Sequence, residues 1–348
     1  MGSTGIPGST RPTMQPRLHG KPAGVYHYSR KKRRFSRVLG RSFSFLILLS
    51  LLFIGFRFAP FPPFEGLRNL WVTTAMTTMN HQYLATWFFS DAEIQKIMDS
   101  NQAADLGNSN PSAISTLGTP HNKGIELVDI SQKGFKGYLL KIKDPSRVEV
   151  AGTRYLGTRG EMAEEIAKET GAIAVINGGG FSDPEGSGSG GRPLGILISG
   201  GKIQHKDSVN TFDLIGLDHN NKLILGHYTL PQIQKMDIRD AVSFSPFLVV
   251  NGKPAITQGD GGWGIAPRTA IGQTRDGTIL MLVIDGRQVS SVGASLKDVQ
   301  DIMLKYGAYN VANLDGGAST ILYYNQQIVN HPSSQYGERH LPSFFIVK

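Results

Sequence analysis

An α/β (α+β) fold, a mixed sheet with a βαβ unit and an antiparallel meander, follows from three patterns in this 348-residue sequence. First, three apolar runs each stop on a polar residue followed by glycine. Ala172 to Ile176 ends in Asn177-Gly178-Gly179-Gly180-Phe181, Thr278 to Ile284 ends in Asp285-Gly286-Arg287, and a third run ends in Asn313-Leu-Asp315-Gly316-Gly317-Ala-Ser319-Thr320. Buried strands of this kind present polar side chains at their carboxyl ends, where open α/β sheets place ligands. Second, strand 278–284, a helix opened by the capping box Ser295-Leu-Lys-Asp298, and strand 310–314 come in that order. Leu296, Val299, Ile302, Met303 and Tyr306 share one helix face and Gly307 ends it, so the unit reads βαβ with Asp285 and Asp315 on one sheet edge. Third, short apolar segments at 194–198, 203, 212–217, 223–225 and 247–250 alternate with Gly, Asn and Asp turns, the pattern of an antiparallel meander.

The other elements fall before these. Residues 1–41 are expected to be a disordered basic cytoplasmic tail, rich in Gly, Pro, Ser and Thr. Ser42 to Phe56 is fifteen residues without a charge, spanning about 22 Å as a helix against a hydrocarbon core of about 30 Å. Arg41 and Arg57 can snorkel, so residues 42–59 read as a single transmembrane helix. No small-x-small site follows, which favours an uncleaved signal anchor over a cleaved signal peptide. The basic flank places the N-terminus in the cytoplasm and the remainder of the chain outside. Residues 60–121 read as a helical stalk, with the capping box Ser90-Asp-Ala-Glu93 opening a helix over 92–99, followed by a polar linker from Asn101 to His121. The domain proper occupies 122–348, opening with strands at 125–130, 137–143 and 148–151 and a helix begun by Thr158-Arg-Gly-Glu161 and stopped by Gly171.

Composition removes several function classes. The net charge is +9, but ten of the 36 Lys and Arg residues lie at or before Arg41, where there is no acid, which leaves 26 against 27 acidic residues. The basic character belongs to the tail, and a nucleic-acid partner is not expected. No cysteine is present, and this fits either redox compartment. The glycines of 178–191 do not open the helix a dinucleotide site needs, and no Gly-Lys-Ser/Thr occurs. A flexible rim over the site suits them better, with Gly259-Asp-Gly-Gly-Trp263-Gly264 as its aromatic counterpart. The nine histidines contain no zinc-binding pair, so no cofactor is expected, although a divalent cation bridging an Asp and a phosphate stays open.

The three strand-end motifs, Pro267-Arg268-Thr269-Ala-Ile-Gly272 and Gly337-Glu338-Arg339 occur in an order that resembles the phosphodiester glycosidase family, from about Asn122 to Lys348. One position departs: the family's Asn-Gly-Gly-Phe-Phe has Gly180 here in place of the first aromatic. The resemblance implies a hydrolase that cleaves a sugar-1-phosphodiester of the N-acetylglucosamine type, with a carbohydrate phosphodiester in an extracellular polysaccharide or cell-wall polymer as substrate; the membrane, through the N-terminal helix, is the other expected partner. A non-catalytic glycan-binding or envelope-assembly protein, and a glycosidase without a phosphate requirement, remain alternatives.

On that reading Asp285 and Asp315 are the candidate catalytic carboxyl groups, with their roles as acid, base or nucleophile unassigned. A phosphate leaving group is already acidic, so anion contacts matter more than a general acid. Arg268 and Arg287, and after them Arg339, are the candidates to grip it, because a guanidinium offers two oxygens a charged fork. Asn177 would bond sugar hydroxyls or phosphate oxygens, and Gly178 and Gly179 could offer a nest of amides. Gly316, Gly317 and Ser319 complete the expected contact set; Ser319 and Thr320 are not framed as an activated nucleophile. His331 and His340 stand near the terminal motifs.

Overall fold

In the computed structural model, residues 28–78, 81–116, 124–183, 189–334 and 337–348 are described, with side chains from Arg41 onward. Two compact units, Met1–Phe58 and Ala59–Lys348, are separable. The first contains one helix, Tyr28–Phe58, whose Arg41–Phe58 stretch is long and apolar enough to cross a membrane and is not buried inside the protein. The expected tail lies outside the described residues up to His27, and the helix begins well before the apolar run.

Among its described residues the second unit is built on three large antiparallel sheets and a two-stranded one, Phe181–Ser182 with Arg192–Pro193. The largest has seven strands in the order Ile125–Asp129, Gly137–Ile142, Ile279–Ile284, Arg268–Thr274, Ala308–Asn313, Phe247–Val250 and Lys253–Pro254. A five-stranded sheet carries Leu223–Tyr228, Phe212–Asp218, Ile238–Ser243, Ile196–Ser199 and Lys202–Lys206. Another joins Gln327–Ile328, Leu322–Tyr324, Ala174–Asn177, Ser343–Val347 and Val148–Gly152. All three contribute to one core: Leu140, Ile271 and Met281 meet Leu197 and Ile215, and Ile176 and Phe345. The fold is therefore mixed α+β, as its patterns predict.

The βαβ unit is present in a split form. Ile279–Ile284 and Ala308–Asn313 run parallel, but Arg268–Thr274 lies between them and pairs antiparallel with both. The connecting helix Leu296–Lys305 packs Val299 and Met303 onto the sheet against Ala270, Leu280 and Leu282. Its capping box is formed: the Asp298 amide donates to Ser295 Oγ at 3.1 Å, and the Ser295 amide to Asp298 Oδ2 at 2.9 Å. The meander contributes to two sheets, since Phe247–Val250 pairs with Ala308–Asn313 rather than continuing the five-stranded sheet.

Two expectations change. The helix foreseen from Thr158 begins at Ala163, with Met162 as N-cap and Gly171 at φ 70° as its left-handed stop, because Glu161 is fully buried and bonded to Arg154. Residues 101–116 do not hang as a linker. The Ala104 amide donates to Ala255 O, Ser109 to Leu225 O and Ser115 to Arg275 O, so this segment is bonded along the domain. Helix Pro62–Met76 joins the same unit: Thr73 Oγ1 donates to Asp260 Oδ2 at 2.6 Å and the Ile265 amide to Thr74 Oγ1 at 3.1 Å.

Candidate active site

The strand ends converge as the βαβ order requires. Asp285 and Asp315 follow the two parallel strands, and Arg268 begins the strand between them. Asn177 ends its strand opposite Phe344, and the Asp315 amide donates to Gly178 O at 3.2 Å, which stitches two sheets together at this edge.

Asp315 lies at the centre. Its carboxyl receives the Gly316 amide at 2.9 Å and the Ser319 hydroxyl, both of which favour the charged form. Burial outweighs them and the positive charge of Arg339, pushing the carboxyl up to about 6. Gly317 has φ 59°, and a Cβ there would come within 3.1 Å of Arg287 Nη2, so the missing side chain makes room for a guanidinium beside the Asp315 turn. Arg287 is exposed and has a left-handed φ of 59°; its backbone amide donates to Val292 O at 3.0 Å, while its guanidinium has no hydrogen-bond or ion-pair partner among the described residues. Backbone strain of this kind costs on the order of 1–3 kcal/mol and concentrates at functional positions.

Arg339 holds the other flank. Its Nη2 donates to Asp183 Oδ2 at 2.7 Å and its guanidinium lies 4.9 Å from the Phe181 ring centre. Glu338 is not its partner: that carboxylate accepts from the Ala163 amide at a helix N-terminus.

Several expected contacts are engaged elsewhere. The Asn177 Nδ2 donates to Asp315 O at 2.5 Å, and its Oδ1 accepts from Thr269 Oγ1 at 2.7 Å and the Ile321 amide at 3.2 Å, so Asn177 positions the Asp315 turn. The Gly178 and Gly179 amides do not form an open nest, since they donate to Ser343 O and Ser343 Oγ. Those glycines are needed for close packing: a Cβ on Gly178 would stand 2.7 Å from Ser343 Oγ and one on Gly179 2.6 Å from Ser243 O.

Arg268 departs most from expectation. It is 3% exposed; its Nε donates to Ala294 O at 3.0 Å and its Nη2 to Trp263 O at 2.8 Å and Gly264 O at 2.7 Å. Burial brings its guanidinium down to about 10, against the attraction of Asp260. Asp260 in turn accepts from Thr73, Gly262 and Gly264, so Arg268 and Asp260 together tie down the 259–264 loop. The Asp260-Gly-Gly run was the sequence signal for this role.

Asp285 is 2% exposed, and burial raises its carboxyl pKa. Its Oδ1 accepts from Asn330 Nδ2 at 3.0 Å and from the His331 amide at 2.8 Å, which fixes the 330–331 segment. Among the described residues no group of three His, Cys, Asp or Glu side chains could hold a metal ion.

Next to this edge is a pocket of about 300 Å³ walled by Phe244, Trp263, Leu194 and Val209, with Asp207 and Asp213 on its lining. Phe244 and Trp263 lie 5.9 Å apart at 58°. Gly180 opens onto this pocket, and a Cβ there would stand 3.2 Å from the Phe244 ring, so Phe244 fills the space that the missing aromatic leaves. Part of the foreseen glycine rim, 184–188, lies outside the described residues, while the flanking Ser189 and Gly191 carbonyls accept from Gly160 and Gly157.

Comparison with known proteins finds relatives of this chain. Over 225 residues, 58% of the chain, it is 25% identical to bovine N-acetylglucosamine-1-phosphodiester alpha-N-acetylglucosaminidase, covering 42% of that protein. Over 218 residues it is 27% identical to the SPbeta prophage-derived uncharacterized protein YomE of Bacillus subtilis, covering 31% of it. The chain thus spans less than half the length of these curated relatives. The zebrafish N-acetylglucosamine-1-phosphodiester alpha-N-acetylglucosaminidase catalytic domain, solved auto-inhibited by its pro-peptide, shares the fold at a TM-score of 0.55 and 22% identity, over 71% of this chain and 87% of that one. A family model described as phosphodiester glycosidase matches residues 170–348, just over half of the sequence and the part that carries Asn177, Asp285, Asp315 and both flanking arginines, and the chain belongs to that family.

Proposed function

We propose that this protein hydrolyses a sugar-1-phosphodiester, of the kind named for its bovine relative, in an extracellular or cell-wall glycan, from a domain held at the outer face of the membrane by Arg41–Phe58. The observation that carries the reading is a carboxyl near pKa 6, Asp315, with the charge of Arg339 acting on it and the Arg287 guanidinium, which has no side-chain partner among the described residues, beside its turn. Two guanidinium groups around the turn of one titrating carboxyl suit a substrate that brings its own negative charge next to the bond being broken.

In this arrangement Arg287 and Arg339 take the phosphate oxygens, and the sugar ring enters the Phe244–Trp263 pocket, where aromatic faces and the Asp207 and Asp213 carboxylates meet its apolar face and hydroxyls. The bond between the anomeric carbon and the phosphate oxygen breaks, and the phosphomonoester leaves with the bonding electrons. Asp315 acts in its ionised form: it takes a proton from the attacking water, whose oxygen joins the anomeric carbon, and passes that proton to solvent. Ser319 and Gly316 hold the carboxylate by donating to it. Asn177 and Arg268 position the two turns that carry these groups.

The test is to incubate the detergent-solubilised full chain with an N-acetylglucosamine-1-phosphodiester and with a neutral aryl glycoside of the same sugar, following free sugar and phosphomonoester. Release of both products in equal amounts from the diester is expected. Binding of the diester without turnover would instead identify a glycan-binding protein.

A further inference from the structure

Four aromatic or apolar side chains stand exposed on the helices that begin four residues after the candidate membrane span. Leu67 and Trp71 are one turn apart on Pro62–Met76, at 55% and 42% exposure, and Tyr83 and Trp87 flank the short helix Tyr83–Thr86, at 41% and 73%. They form one patch: Trp71 Nε1 donates to Leu84 O at 2.8 Å, and the Tyr83 and Trp87 rings lie 4.9 Å apart. Phe61, at the N-cap of Pro62–Met76, is exposed as well. The far side of the same helix is tied to the domain through the Thr73–Asp260 bond, two residues on from Trp71.

Clustered exposed apolar surface marks an interaction site. The occupant follows from connectivity and composition. The apolar helix ends at Phe58, and four extended residues reach at most about 14 Å, so Pro62 is tethered to the end of that span. At that depth a bilayer offers its headgroup boundary, where Trp and Tyr rings place an apolar body and a polar tip. Resting on the reading of Arg41–Phe58 as a membrane span, we propose that Leu67, Trp71, Tyr83 and Trp87 seat the domain on the lipid headgroup region. Since Thr73 and Thr74 on the same helix bind Asp260 and the Ile265 amide, the bilayer contact and the Trp263 loop share one support.

The chain has three tryptophans, Trp71, Trp87 and Trp263, and none in the apolar helix. Full-length protein reconstituted in phosphatidylcholine vesicles brominated near the top of the acyl chains should show tryptophan emission quenched relative to unbrominated vesicles. The double substitution Trp71→Phe, Trp87→Phe, which leaves Trp263, should lose that quenching while the protein still floats with the vesicles. Equal emission in both vesicle types, or quenching retained in the double variant, overturns the proposal. Unquenched emission that shifts with protein concentration means that a second copy covers the patch, and a shift on adding soluble glycan means a carbohydrate platform. Failure to float overturns this proposal and the membrane span together. No activity is read, so the result is independent of the hydrolase reading.

Discussion

Replacing Asp315 by Asn should abolish turnover and yet stabilise the protein, and the stabilisation should depend on pH. The carboxyl ionises near 3.8 in the unfolded chain and near 6 in the folded one. Between those values the native state binds more protons than the unfolded state, so stability falls as pH rises. Below about pH 4 both states are protonated and the group costs nothing by this route. Above about pH 6 the full difference applies, roughly 2 pH units at 1.36 kcal/mol each, or about 3 kcal/mol. An asparagine keeps the acceptor for the Ser319 hydroxyl and the Gly316 amide and does not ionise. The variant should therefore match the parent in urea unfolding near pH 4 and exceed it by up to ~3 kcal/mol at pH 7.5, a rise of several degrees in Tm for a unit of this size. Turnover of the phosphodiester should drop by two orders of magnitude or more, the contribution of a positioned acid or base. A gap in stability that is the same at pH 4 and pH 7.5, or a variant less stable at both, would show that the carboxyl is not held against its charge and would remove the physical basis for its role.

The parent enzyme's kcat/KM should rise with pH through about 6 as Asp315 ionises; a profile that falls across that range would make the group a general acid instead. Arg287→Ala should lower kcat/KM on a phosphodiester by about 10- to 100-fold, the effect of a lost charge-assisted contact of about 1.5–3 kcal/mol, and leave a neutral aryl glycoside nearly unaffected; equal losses on both would assign Arg287 to the sugar. Arg268→Met should act on stability before activity, because it removes a donor from each of the carbonyls of Trp263, Gly264 and Ala294 and leaves Asp260 without its counter-charge. A loss of about 3–5 kcal/mol in denaturant unfolding is expected, and unchanged stability would return Arg268 to the list of ligand contacts. Thr73→Val should cost about 1.5–3 kcal/mol through the lost bond to a carboxylate and change Trp263 emission, whereas a silent variant would mean that helix Pro62–Met76 does not support the loop.

What the sequence made legible was the backbone logic of the site. Strand-end motifs are local: an apolar run, a polar residue and a glycine stand next to each other in the chain, and the βαβ order alone brings Asp285 and Asp315 to one edge. Capping boxes are local as well, and Ser90–Glu93 and Ser295–Asp298 formed where their spacing put them. The sheet pairing was not legible, because nothing within Arg268–Thr274 says that it inserts between two parallel strands; that depends on which neighbours bury its two apolar faces.

The allocation of the arginines shows where local reading stops. Arg268 and Arg287 look alike in sequence, each beside a proline or glycine at a strand end. A guanidinium becomes a ligand contact only if the fold leaves its donors unpaired, and that is decided by partners far along the chain. Arg268 points into a loop whose carbonyls converge on it because Asp260, anchored by Thr73 almost two hundred residues earlier, folds that loop back. Arg287 faces Gly317, whose missing side chain leaves room for the guanidinium, and its left-handed backbone commits its own amide to Val292 O. The glycine in the Asp315 turn therefore also makes room for a cation beside that turn. One residue without a Cβ thus joins the Asp315 turn to the Arg287 guanidinium, and this explains why Asp-Gly-Gly carries more information about the site than the arginine motifs do.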